Sequence, residues 1–568
     1  MQRKHYSRVV QTLFGLALLW SCQNTPTYRT DSASISAGKT TFEAHCVACH
    51  SFKSTGIGPN LSGVTESVDP QWLSQFIQNP SALIEARDTR AVALFEKFKT
   101  QMPGYGHLGE EAIQQLMAYL HTQKKAKPQT VTERDYISDP IPDRIPHSGL
   151  ALELEPFIAF PHSSERSPVA RINKIAPMHP NANRWFAQDL NGVMYEILEN
   201  RPIPYLKITD YFEHFKHKPG LGTGFGGFAF HPEFEANGLL YTSHAEEIRD
   251  SVRADFTYDD SIPKKLQWVV TEWKQSEPSA QTFRGTHREL FRIDFVTRIH
   301  GMQEIAFNPL AQKEDADYGM LYICIGDGGS AENKYTELTQ SKSRAWGSIF
   351  RIDPRGNNST NGNYGIPKDN PYSNDSDALG ELWAHGFRNP HRLTWNPKNG
   401  QLLATDIGHQ QIEEVNLILA GKNYGWPKRE GTFGMDTQTD MDKVYTLAQK
   451  EVDSFEAPTI QFDHDETNAI SGGYVYLGEI PELKGKYIFG GIVHGKLYMV
   501  HADDIASGTQ ASIQELSISI GGKKTDFKTL SGNNRTDLRI GIDPNGELVL
   551  STKADGKSYR VIGIFEIQ

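Results

Sequence analysis

The chain has 568 residues and a net charge of −11, with no clustering of its 58 Lys and Arg, which argues against nucleic acid as a partner. That length accommodates two or more domains with large cores. Forty-nine Gly and 30 Pro beside many aromatic residues favour short strands and turns over long helices.

In chain order, the first element is a basic start (Arg3, Lys4, Arg8) followed by an apolar run over 9–20. That run falls well short of the roughly 20 residues needed to cross a bilayer, so it reads as an export signal. The sequence Leu19-Trp20-Ser21-Cys22 resembles the bacterial lipobox. The resemblance implies a lipoprotein signal peptide over 1–22, a diacylated Cys22 as a membrane anchor, and a periplasmic or cell-envelope location. Gln23 in the next position implies the outer membrane. The alternative is an ordinary cleaved signal with an incidental Cys. Residues 23–36 are polar and rich in Ser and Thr, as a flexible tether would be.

The segment Cys46-Val47-Ala48-Cys49-His50 predicts one covalent haem c: two thiols bind the porphyrin and the adjacent imidazole of His50 ligates iron. With 4 Cys and 20 His in the chain, ~0.001 matches are expected by chance. A zinc half-site or redox pair is the alternative, and no second Cys pair exists to complete a zinc site. Residues 37–125 read as a small all-α domain closed by a helix over 110–123. Within it, Gly58-Pro59-Asn60-Leu61 resembles the loop beneath the proximal His in class I cytochromes c. The resemblance implies that the Pro59 carbonyl accepts the free N–H of His50, which would fix its tautomer.

The sixth ligand expected is Met102, in the helix-breaking run Gln101-Met102-Pro103-Gly104-Tyr105-Gly106. Met117 competes, but it shares a helical face with Ile113, Leu116 and Leu120, a core pattern. His107 is the other alternative. A haem with both axial places filled by protein carries electrons and leaves peroxide nowhere to bind.

After a Lys-, Pro- and Asp-rich linker over 126–165, a phrase recurs: an alternating apolar strand, then Pro near Asn or Gly, then a second strand. It occurs at Phe228-Ala229-Phe230-His231-Pro232, Ile305-Ala306-Phe307-Asn308-Pro309, Leu393-Thr394-Trp395-Asn396-Pro397 and Ile540-Gly541-Ile542-Asp543-Pro544. Weaker copies lie over 180–197 and 472–500. Such hairpins repeated radially predict an all-β six-bladed propeller over 166–568. A β-sandwich gives similar strands, but this stretch is long for one.

From about 170 to 567 this domain resembles the glucose/sorbosone dehydrogenase family, soluble quinoproteins that bind pyrroloquinoline quinone (PQQ) on such a propeller. The resemblance is carried by Gly386-Phe387-Arg388-Asn389-Pro390-His391-Arg392, Asp406-Ile407-Gly408, Glu413-Glu414-Val415-Asn416-Leu417-Ile418 and Gly421-Lys422-Asn423-Tyr424-Gly425-Trp426-Pro427. It implies His300 as catalytic base, Asp327 as the acid orienting it and Arg388 as the residue stabilising the reduced quinone. It further implies Asn389, His494 and Arg535 as cofactor contacts, Arg539 as a looser match, and Ca2+ held by the carbonyls of Gly408 and His409. A turn cap is the alternative for Asp327, and a loop brace for Arg388. Two functions fit. The first is oxidation of a sugar or polyol, with electrons passing to the haem and on to a downstream acceptor. The second is a propeller that binds glycan or protein beside an independent electron carrier.

Overall fold

The computed structural model describes residues 28–567 except 48, 53–54, 56, 99, 126–135, 181 and 219–221. The expected signal peptide and Cys22 lie outside the described residues. Among those described, no helix is long and apolar enough to cross a membrane.

The N-terminal unit is helical. Its first helix spans Ser32–His45 and starts earlier than position 37 because Asp31 caps it, accepting from the Ser34 N–H at 2.8 Å. Two short helices, Pro70–Gln78 and Pro80–Glu85, follow the same logic, with Asp69 and Asn79 as caps and Pro in the first turn. Helix Glu110–Thr122 closes the unit. It packs on the first helix at Gly38, where a Cβ would fall 1.9 Å from the Gln115 carbonyl oxygen. Phe42, Leu73, Ile77, Ile113, Leu116, Met117 and Leu120 form the core around Cys46.

The remainder is rich in β-structure. Four separate sheets hold four strands each: Ile172–Pro177 through Arg201–Lys207, Phe225–Phe230 through Gly285–Phe295, Glu304–Phe307 through Leu382–His385, and Pro390–Trp395 through Ile460–Asp463. A larger sheet joins two antiparallel runs of four strands. One run is Ile470–Val475 through Gln514–Ile520; the other is Leu538–Ile542, Leu548–Thr552, Lys557–Glu566 and His147–Ala159. The runs meet where His147–Ala159 lies parallel to Gln514–Ile520.

The first strand of each set touches the first strand of the next. The last of these, Leu538–Ile542, returns to Ile172–Pro177, so the inner strands form a closed ring. All four clear copies of the recurring sequence phrase are inner strands followed by their hairpin partners. The large aromatic and aliphatic cores lie between neighbouring sheets, as in the cluster joining Trp268, Phe291, Ile323 and Phe350.

One boundary is corrected. The linker expected over 126–165 contains the strand His147–Ala159, which pairs antiparallel with Lys557–Glu566. Its polar flanks and Pro156 hid that role, because its partners lie some 400 positions away.

Candidate active site

Two centres can be built from these elements. In the helical unit, the His50 ring donates from Nδ1 to the Pro59 carbonyl oxygen at 2.9 Å. That contact leaves Nε2 for a metal and fixes the tautomer. Burial pushes the His50 pKa down, against the opposing effect of the Pro59 contact, which favours the neutral ring that ligation requires. The fit is close: a Cβ at Gly58 would fall 2.4 Å from His50 Cε1. Cys46 is buried and Cys49 half-buried, and both are free thiols able to form thioethers to haem. Met102 packs against the same cluster, whereas Met117 is 2% exposed within it and His107 is exposed to solvent. The residues present therefore suit a covalent haem, with Met102 the better placed of the three expected sixth ligands.

In the β-rich domain, the loops leading into the inner strands Glu304–Phe307 and Pro390–Trp395, with the loop after Leu321–Ile325, carry His300, Arg388, Asn389 and Asp327. The His300 loop is zipped to the Asp327 loop: Gly326 N–H donates to Gly301 O at 3.1 Å and Gly328 N–H to His300 O at 3.2 Å. Gly326 is required there, since a Cβ would fall 2.1 Å from the His300 carbonyl oxygen. His300 itself has φ +52°, a left-handed conformation seldom adopted by a non-glycine residue.

Its Nδ1 donates to Asp327 Oδ1 at 2.7 Å and its side chain is 11% exposed, so Nε2 is the nitrogen left for chemistry. Asp327 is fully buried; its Oδ1 also accepts from the Gly329 N–H at 2.8 Å, and its Oδ2 from Trp426 Nε1 at 3.0 Å. The cap reading and the orienting reading of Asp327 therefore hold together.

Arg388 is held from several sides. It donates from Nη2 to Glu332, and from Nη1 to the carbonyls of Ile407 at 3.1 Å and Gly408 at 2.7 Å. Its Cζ lies 5.6 Å from the centroid of the Trp426 ring. Burial acts to lower the Arg388 pKa, but Glu332 and Asp327 outweigh it and hold the guanidinium charged. The buried carboxylate of Asp406 fixes the backbone beside it, accepting from the N–H of Arg388 at 3.0 Å and of Asn389 at 2.6 Å. Asn389 Oδ1 is buried without a partner.

The Gly408 carbonyl, expected to bind Ca2+, is instead turned to the Arg388 cation. The His409 imidazole is buried, with Nδ1 3.2 Å from Glu332 and Nε2 3.3 Å from Asp442. Burial opposes its charge, but these acids raise its pKa to about 9. A guanidinium donor on the Gly408 carbonyl does not suit Ca2+ at that oxygen.

Across the ring lies a group of buried cations. Arg171, Arg539 and Lys553 each feel the charge of Asp537, which pairs directly with Arg535. Burial lowers the pKa of Arg171 to about 10 and that of Arg539 to about 9. Lys553 is driven well down by burial and by the Arg539 charge. Asn173 Oδ1 accepts from Arg539 Nε at 3.1 Å and Lys553 Nζ at 3.0 Å, while Arg171 Nε is buried without a partner. Positive charge left uncompensated in a buried place suits an anion with several carboxylates, as PQQ is. Of the expected anchors, Arg535 sits in this group. His494 is half-buried in the turn before Leu497–His501.

Glu332, Trp426, Asp406, Asp537, Arg171 and Lys553 were not singled out as site residues from sequence. Trp426 stood within a quoted run but carried no assigned role. Glu332 closes the Gly328-to-Glu332 turn that begins beside Asp327.

Residues 214–522 match the family model described as Glucose / Sorbosone dehydrogenase, which spans more than half of the chain. The chain belongs to the glucose/sorbosone dehydrogenase family. In this family member, residues 35–124 also match the Cytochrome c model, so the haem-type domain and the dehydrogenase-type domain are fused. It is 29% identical over 324 residues to HIPL1 protein of Arabidopsis thaliana, covering 50% of this chain and 44% of that protein. It is 28% identical over 222 residues to quinoprotein glucose dehydrogenase B of Acinetobacter calcoaceticus, covering 37% of this chain and 40% of that one. The chain thus spans less than half the length of each of these relatives. Among solved structures, a crystal structure of glucose dehydrogenase superposes with a TM-score of 0.51 at 18% identity, over 72% of this chain and 99% of that one, a likeness of fold.

Proposed function

We propose that this oxidoreductase oxidises a hydroxyl of a sugar or polyol in the β-rich domain and delivers the electrons to haem on the same chain. The observation that carries the reading is His300, pinned through Nδ1 to buried Asp327 at 2.7 Å, so that Nε2 can take a substrate proton. The domain is read as one propeller of six blades, each blade a four-strand set around the closed inner ring.

PQQ, when bound, would supply the acceptor for the alcohol's hydride, which carries both electrons. Arg171, Arg539 and Lys553 would hold its carboxylates, and Asn389 Oδ1 supplies an unpaired acceptor at the rim. Asp327 orients His300 and offsets the positive charge that the ring gains with the proton. Glu332 and Asp406 hold Arg388 in place, side chain and backbone respectively. The tethered haem accepts electrons at high local concentration. Export through the signal at 1–22, with Cys22 as the outer-membrane lipid anchor, completes the reading; loss of fatty-acid labelling in Cys22→Ala tests that step.

A second reading is favoured by one observation: Arg388 spends both Nη groups on Glu332, Ile407 and Gly408, leaving only Nε without a partner. A guanidinium so occupied suits a propeller that binds a partner without quinone. Adding PQQ, then sugars, to the haem-loaded protein while following the haem absorption separates the two. Haem reduction that requires both additions is expected, and absence of PQQ binding would establish the second reading.

A further inference from the structure

Two segments of the cytochrome unit touch the propeller, and one of them does so beside the buried cations. Asn534 Nδ2 donates to Gln101 Oε1 at 2.6 Å, and Gln101 immediately precedes Met102. Lys265 Nζ lies 3.4 Å from Glu43 Oε1, on the helix that runs into the Cys46–His50 motif. Asn534 directly precedes Arg535 in the chain. Arg535 donates from Nε and Nη2 to the same oxygen, Asp537 Oδ1, at 2.9 Å. Asp537 is 6% exposed, and its carbonyl accepts from the Lys553 N–H at 3.4 Å.

We infer that segment 533–537 is the electron-transfer interface, with the Arg535–Asp537 pair set between the buried cations and the Met102 loop of the cytochrome unit. This rests on the reading of the propeller as electron donor. Each crossing moves one electron from the reduced cofactor to ferric iron, which becomes ferrous. An external one-electron acceptor reoxidises the iron before the second crossing, and the substrate protons leave through His300. The two charges act on the iron with opposite sign: the guanidinium favours the reduced state and the carboxylate the oxidised state. Arg535 is thus a positioning residue with a measurable electrostatic signature, rather than solely an anchor for quinone.

The full-length, haem-loaded protein tests this with neither quinone nor sugar present. Redox titration should give a lowered haem midpoint potential in Arg535→Gln and a raised one in Asp537→Asn. Lys398→Gln, in the exposed turn at the opposite end of the inner strands, should match wild type. Zero-length carbodiimide coupling of the wild-type protein should join Glu43 to Lys265, read by peptide mass spectrometry, and this arm does not depend on a variant folding. Unchanged or same-signed potentials in Arg535→Gln and Asp537→Asn would overturn the interface, as would absence of the Glu43–Lys265 product. A successful test followed by no sugar-driven haem reduction would instead sink the donor reading and leave the docking intact.

Discussion

Replacing Asp327 by Asn isolates the charge of that side chain from its shape. Three donors converge on its two oxygens: His300 Nδ1 at 2.7 Å, Gly329 N at 2.8 Å and Trp426 Nε1 at 3.0 Å. An amide keeps one acceptor oxygen, and the orientation retaining two of the three bonds directs it at His300 and Gly329. The amide NH2 then opposes Trp426 Nε1–H, costing about 1–3 kcal/mol of stability for a buried donor left unpaired. The His300 tautomer survives, but the positive charge gained on proton abstraction meets a neutral partner. Charge-assisted hydrogen bonds are roughly twice as strong as neutral ones, a difference of about 1–2 kcal/mol here, equivalent to a roughly 5- to 30-fold slower turnover. The assay is the initial rate of haem-band reduction after mixing PQQ-loaded protein with an active sugar, at substrate saturation. A rate within twofold of wild type in a folded variant would refute the orienting role of Asp327.

Three further outcomes are expected. Met102→Ala should lower the haem potential and admit added imidazole to the iron, whereas Met117→Leu should change neither; spectral titration with imidazole decides which Met is the ligand. Lys553→Met removes one of several mutually repelling buried cations, so calorimetry should show a higher Tm without PQQ and at least a tenfold weaker PQQ affinity by titration. His231 and His385 have pKa values lowered to about 4, chiefly by burial. The unfolded chain binds those protons near pH 6.5 and the native protein only near 4, so their contribution to stability is present above 6.5 and is lost as pH falls through that window. The double variant His231→Asn, His385→Asn should therefore show a smaller drop in Tm between pH 6.5 and 4 than wild type; an equal drop would count against the assignment.

The parts legible in sequence are those whose chemistry is local. Cys46, Cys49 and His50 sit within one turn, Pro59 follows after a short loop, and four of the inner strands announce themselves by alternation leading to Pro. Residues whose meaning depends on distant partners stayed hidden. Glu332 is an ordinary turn carboxylate until Arg388 arrives from 56 positions away. Arg171, Asp537 and Lys553 come from opposite ends of the propeller segment, and only ring closure makes them neighbours. The Gly408 carbonyl shows the converse: family resemblance suggested a ligand, but backbone carbonyls carry no side-chain signal, and the nearby guanidinium decides where this one is directed.

Strand His147–Ala159 fastens the beginning of the β-rich segment to its end, with Ile158 N–H donating to Ser558 Oγ across 400 positions. During synthesis nothing can shut this clasp until Lys557–Glu566 has emerged, long after His147–Ala159. Residues 136–146 lead into that same strand, and segment 533–537 leads into the strand set that it completes. The seat that segment 533–537 offers the cytochrome unit is therefore conditional on a finished ring of strands, and a chain cut before Lys557 would lose it even if the helical unit still formed.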